Sequence, residues 1–97
     1  MSIDVSDLIS FAKQLAAGET ECEWRSGASR AYYAAYHKAL GVAEDCLPPS
    51  PYATGVHQQL TDRFAAEGRK GTTLAYKLID LKRVRTHADY RLSEPFR

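Results

Sequence analysis

Residues 20–51 constrain the fold more than any other stretch of this chain. From Thr20 to Asp45 the sequence reads as one uninterrupted helical run, and Leu47-Pro48-Pro49-Ser50-Pro51 stops it. Three prolines in four positions remove backbone donors and fix φ, so no helix continues through them. Within the run, SGASRAYYAAYHKAL places Ala28, Ala31, Ala35 and Ala39, with Tyr32 and Tyr36, in seams at helical spacing. Small residues let a neighbouring helix approach closely, and tyrosines fill the gaps beside them. Gly27 costs roughly 1 kcal/mol relative to alanine inside a helix, which predicts close packing or a bend there. Thr20 is the predicted N-cap, with Glu21 and Glu23 suited to the positive end of the helix dipole.

Three further helices are predicted around this one. Over Asp4–Ala17, Val5, Leu8, Ile9, Ala12, Leu15 and Ala16 keep a helical period, with Asp4 as N-cap and Gly18 just past the end. A third helix is predicted over Thr54–Glu67, capped by Thr54, with Val56, Leu60 and Phe64 as a narrow apolar face. Gly68-Arg69-Lys70-Gly71 reads as a mobile basic turn. Thr72 or Thr73 then caps a fourth helix that ends at Ser93-Glu94-Pro95. No useful strand alternation and no repeat occurs, so the expected fold is all-α: an up-and-down bundle of four main helices in a single domain, residues 1–97.

Size and composition set further bounds. Ninety-seven residues, 44% hydrophobic and 26% charged, suit one modest core in a soluble globular domain. No apolar run approaches the ~20 residues needed to span a bilayer. The opening MSIDVSDLIS lacks the basic and apolar segments of a signal peptide. Cys22 and Cys46 stand 24 positions apart on one predicted helix, a rise of about 36 Å that no disulfide can bridge. Reduced thiols and a cytoplasmic location are therefore expected, with no membrane association.

The chemistry concentrates in the fourth helix. Leu74, Leu78, Leu81, Ala88 and Leu92 form one predicted apolar stripe, and Arg85 interrupts it. A buried arginine is costly unless it is paired or borders a wet groove. Arg83, Arg85, His87, Asp89, Tyr90 and Arg91 fall within nine positions. Arg83 and His87 are i, i+4 neighbours, and so are Arg85 and Asp89. On the second helix, Arg30, Tyr33 and His37 project from one side at i, i+3, i+7. Metal-free cleavage of RNA needs an acid or base titrating near neutrality, which histidine supplies. It also needs a cation at the phosphate, which arginine supplies through its planar fork, and tyrosine can stack on a base. The structural alternatives are an ion pair of Arg85 with Asp89 that holds the bundle together and a His37 ring packed between helices. His37, His57 and His87 make no close ligand pair with Cys22 or Cys46, so no metal is expected. GRKGTT is neither a P-loop nor a dinucleotide fingerprint, and no cofactor is expected.

Two segments carry a family resemblance. SRAYYAAYHKAL, Ser29–Leu40, resembles the second-helix signature of HEPN domain proteins. LKRVRTHADYRL, Leu81–Leu92, resembles the fourth-helix signature of a branch in which an arginine precedes an Ala-Asp-Tyr triplet. The resemblance implies a helical bundle, a homodimer, and association with RNA or nucleotides. It also implies a place in a toxin–antitoxin or phage-defence type system. Many members are metal-independent endoribonucleases; others are non-catalytic modules that pair with nucleotidyltransferase-like partners. Carried onto this chain, Arg85 is the motif arginine and Thr86 the polar residue after it. Active members place a histidine after four to six intervening residues, where this chain has Tyr90 at the fifth position beyond Arg85. The implied catalytic set is Arg85 and Tyr90, assisted by His87 or His37. Arg30, Arg83, Arg85 and Tyr33 would bind the RNA or its phosphates, and Asp89 would orient Arg85. The family commonly adds a helix after this motif, and Ser93–Arg97 is too short to supply it. Either the chain is a minimal or truncated form that lacks a final helix, or a second copy or another partner, such as an antitoxin, covers the exposed face.

Overall fold

The computed structural model describes residues 2–49 and 55–96. It contains four helices: α1 (Val5–Ala16), α2 (Glu21–Cys46), α3 (Val56–Ala65) and α4 (Gly68–Tyr90), with no strand among the described residues. The all-α bundle follows from the sequence through its caps and seams. Asp4 accepts a hydrogen bond from the Asp7 amide while the Asp7 carboxylate returns one from the Asp4 amide. Thr20 and Glu23 make the same reciprocal box at the head of α2. Each box satisfies donors that a helix start leaves open. The Ser6 hydroxyl, then the Asp7 amide, hold the Asp4 carboxyl below its ordinary range, and the Thr20 hydroxyl and amide do so for Glu23.

α2 is the axis, packing against each of the other helices, whereas α1 packs on α2 alone. At Gly27 an added Cβ would lie 3.2 Å from Leu15 Cβ and 3.3 Å from the Ala12 carbonyl oxygen, so the predicted close approach is that of α1. α4 runs antiparallel to α2. Arg25 reaches residues 87–91, Ser29 meets Asp89, and Tyr33 meets Arg85. α3 runs in the same sense as α2, because His57 meets Tyr32 while Arg63 reaches Ala43 and Leu47, so the expected up-and-down alternation is broken between α2 and α3. The core gathers Ala43, Leu60, Phe64, Ala75 and Leu78 where α2, α3 and α4 meet, with Tyr36, Ala39 and Leu40 against it.

Four further expectations are revised. α4 begins at Gly68, not at Thr72 or Thr73, so Arg69 and Lys70 belong to its first turn rather than to a mobile turn. Gly68 adopts φ +81°, a left-handed conformation glycine reaches without strain, and this lets α4 start directly behind α3. The buried stripe of α4 runs through Gly71, Ala75, Leu78 and Ala88, while Leu74, Leu81 and Leu92 are exposed. Val56 is exposed as well, leaving Leu60 and Phe64 as the buried face of α3. The predicted cap Thr54 and residues 50–51 of the proline-rich stop lie outside the described residues, and Gly55 stands at the α3 N-cap position.

Candidate functional site

Arg85 remains the polar break in the buried face of α4, between Leu78 and Ala88. The antiparallel packing of α2 supplies its surroundings. The Arg85 Nε stands 3.0 Å from Asp89 Oδ2, one turn ahead on α4. This is a charge pair without an aligned hydrogen bond, since Nε has no hydrogen-bond partner. Arg85 Nη2 donates to the Tyr33 hydroxyl at 3.1 Å. Asp89 Oδ2 also accepts from Ser29 Oγ at 3.2 Å, and Ser29 Oγ accepts from Arg30 Nη2 at 3.4 Å. The polar chain thus runs from Arg30 through Ser29 and Asp89 to Arg85 and Tyr33.

Aromatic faces complete the cluster. The guanidiniums of Arg30 and Arg85 lie 5.1 Å and 5.4 Å from the Tyr33 ring centroid. Arg85 also lies 5.5 Å from the ring of Tyr90, which is 70% exposed. All three separations fall within cation–π range. The one carboxylate of the cluster pairs with Arg85, and Arg30 has no acidic partner among the described residues. The cluster carries an excess positive charge beside an exposed aromatic face. Such a surface can hold a phosphate and stack a base.

The structure brings Arg30, Tyr33, Arg85, Asp89 and Tyr90 together and leaves the other predicted site residues apart. His37 is exposed and packs edge-on against Tyr36, with ring centroids 5.3 Å apart. Arg83 is exposed and pairs with Asp80 at 2.9 Å, not with His87. The His87 ring lies 5.7 Å from that of Phe96, and its Nε2 is 3.9 Å from Glu94 Oε2. No histidine therefore makes a hydrogen bond or ring contact with the arginine cluster. His57, absent from the predicted site, bonds the Tyr32 hydroxyl through Nδ1. Burial first, then Lys82 and Arg85, pushes His57 below its ordinary value, whereas burial and then Tyr36 push the Tyr32 hydroxyl up.

Two other arginines have roles that helix periodicity does not reveal. Arg25 is buried and donates to the carbonyls of His87, Ala88 and Arg91 at 3.3, 2.9 and 3.1 Å, and to that of Glu94. Its charge is paired with Glu21 at 2.8 Å. Arg63 does the same for α2, donating to the carbonyls of Ala43, Leu47 and Pro48 at 2.8, 3.0 and 3.0 Å while pairing with Glu44. Each cation gathers carbonyls at a helix end, some of which also hold a backbone amide, and sits at the negative end of the dipole. The Glu21–Arg25 spacing was the only sequence signal for the first, and it looks like any surface i, i+4 pair.

No metal-binding group of three or more His, Cys, Asp or Glu side chains occurs among the described residues, and Cys22 and Cys46 are free and exposed. No described helix is long and apolar enough to cross a membrane. Comparison with models of known families, with curated proteins and with solved structures finds no match to this chain.

Proposed function

We propose that this chain is a HEPN-like domain that associates with RNA or nucleotides through the cluster of Arg30, Tyr33, Arg85, Asp89 and Tyr90, in a toxin–antitoxin or phage-defence type system. The observation that carries the reading is the pairing of excess guanidinium charge with the exposed Tyr90 ring on one α2–α4 surface. Arg30 contacts phosphate, Arg85 is fixed by Tyr33 and Asp89, and Tyr90 stacks on a base. Metal-independent cleavage belongs to the same proposal, with Arg85 stabilising charge at phosphorus and Tyr90, rather than the His87 or His37 that lie apart from the cluster, moving the proton.

Labelled single-stranded RNA, incubated with the protein in EDTA, tests both parts. Binding is expected to weaken about tenfold in Arg30→Ala and in Tyr90→Ala, consistent with roughly 1–3 kcal/mol per stacked base. Salt should weaken it further. Unchanged affinity in both variants would remove this surface as the site. Cleavage that survives Arg85→Ala undiminished would remove the catalytic part.

A second reading is a non-catalytic module paired with a nucleotidyltransferase-like or antitoxin partner, or with a second copy of itself. An apolar groove of about 1060 Å³ favours it, running between α1 and α4 over the small residues of α2. The absence of histidine contacts in the arginine cluster agrees with this reading.

A further inference from the structure

A separate cleft opens between α3 and α4, on the side of α4 carrying Lys82, Arg83, Thr86 and His87. Its volume of about 500 Å³ lies in the range of small-molecule sites. The floor is partly apolar, with Leu78 and Ile79, and Tyr32 reaches in from α2. Gln58 and Thr61 line it from α3; the Gln58 amide nitrogen donates to Asp62 and the Thr61 hydroxyl to the Gln58 carbonyl, so both face the cleft as acceptors.

Charge in the cleft is one-sided. Lys82, Arg83 and Arg91 line it, and among the described residues no carboxylate does. Arg83 is answered outside by Asp80 at 2.9 Å, and Arg91 by Glu94 at 3.8 Å. Lys82 has no acidic partner among the described residues. The positive field acts on a neighbour, since Lys82 and Arg85, after burial, hold His57 below its ordinary value. The Nε2 of His87, a second lining residue, is buried without a hydrogen-bond partner. A cavity with polar groups, an apolar floor and one uncompensated cation, Lys82, suits an anion attached to a flat, partly apolar body.

We propose that this cleft is a second binding site, distinct from the Arg30–Arg85 cluster, for a ligand bearing a terminal phosphate and of about mononucleotide size. Lys82 and Arg91 hold the phosphate at the mouth. Thr61, Thr86 and Gln58 bond the sugar or base edge, and Ile79 and Leu78 meet the apolar faces. A free nucleotide and the phosphorylated end of an RNA strand share this chemistry.

Isotope-labelled protein titrated with 5′-AMP, with a 5′-phosphorylated RNA trinucleotide, with the same trinucleotide lacking the phosphate, and with adenosine tests the assignment. Saturable shifts are expected at His57, Thr61, Lys82 and Thr86 with one or both phosphorylated probes. Adenosine and the unphosphorylated trinucleotide should bind at least tenfold more weakly. Saturation by AMP alone identifies a free nucleotide, and saturation by the trinucleotide alone identifies an RNA end. Lys82 is exposed, so Lys82→Met keeps the fold and should weaken binding about tenfold, while Arg30→Ala should leave it unchanged. The proposal is overturned if neither phosphorylated probe saturates, if Lys82→Met binds as the wild type does, or if the shifts centre on Tyr33 and Tyr90. Because Arg30→Ala reports on the other surface, failure here and failure of the RNA reading are separable.

Discussion

At the scale of single residues, arginine does two different jobs in this chain. Arg85 sits half-buried with a charge partner, a tyrosine hydroxyl and two aromatic faces, an environment that holds the guanidinium while leaving Tyr90 open to solvent. Arg25 is more deeply buried and spends its donors on four backbone carbonyls at the end of α4. Removing Arg25 strands the Ala88 and Glu94 carbonyls, while those of His87 and Arg91 keep the Arg91 and Glu94 amides, and it leaves the Glu21 carboxylate without its charge partner. Arg25→Ala is expected to cost about 3 kcal/mol, as for a broken buried charged network. That is a fall of more than roughly 10 °C in Tm for a domain this size. Arg25→Lys should recover only part, since an ammonium lacks the planar fork. A urea or thermal melt of Arg25→Ala superimposable on the wild type would refute the fastening role. Periodicity singled out Arg85 because it breaks an apolar stripe. It was silent on Arg25, whose partners lie more than sixty positions away and become visible only once α4 lies antiparallel to α2.

At the scale of elements, the helices that begin with capping boxes were the legible ones. Asp4 and Thr20 are side-chain signals with one meaning, and α1 and α2 start one residue after each. The α3–α4 junction differs from the sequence expectation because glycine has two meanings that look alike in sequence. Gly68 is there for its left-handed φ. Gly71 lies inside α4 and is there because a Cβ would stand 2.1 Å from the Phe64 carbonyl oxygen. Gly41, exposed on α2, has nothing within 4 Å of the same imagined atom. These positions should respond oppositely to one substitution. Gly41→Ala is expected to stabilise by about 0.8 kcal/mol through helix propensity alone. Gly71→Ala is expected to destabilise by about 2 kcal/mol, because backbone rather than a flexible side chain must give way. Denaturant midpoints that move in the same direction for both would show that helix propensity, and not the α3–α4 approach, governs Gly71. The candidate site was half legible for a related reason. Arg30 with Tyr33, and Arg85 with Asp89, could be read as pairs along their own helices. That the pairs join, and that His37 and His87 stay out, depends on how α4 lies against α2.

At the scale of the whole molecule, α1 packs on α2 alone. The groove between α1 and α4 therefore has Ala28, Ala31 and Ala35 for a floor and Ile9, Trp24 and Val84 in its walls. Lys13 and Lys38 are the charged side chains lining it, and their long stems can keep the ammonium groups in water. A floor of alanines admits a helix closely, and apolar surface of this kind marks an association site more often than a free face. A second copy is the occupant that the proposed homodimer requires, and it would bury the exposed Ile9 and Val84 without any new partner. Sedimentation velocity over a range from micromolar to submillimolar protein is expected to show a monomer–dimer equilibrium. Ala31→Glu, which sets a carboxylate on the groove floor, should shift it to monomer while circular dichroism keeps its helical signal. A wild type that stays monomeric across the range would end the homodimer reading and leave the groove to a different protein. A dimer unaffected by Ala31→Glu would place the interface on another face, where the exposed Leu74, Tyr76 and Leu81 of α4 are the next residues to substitute.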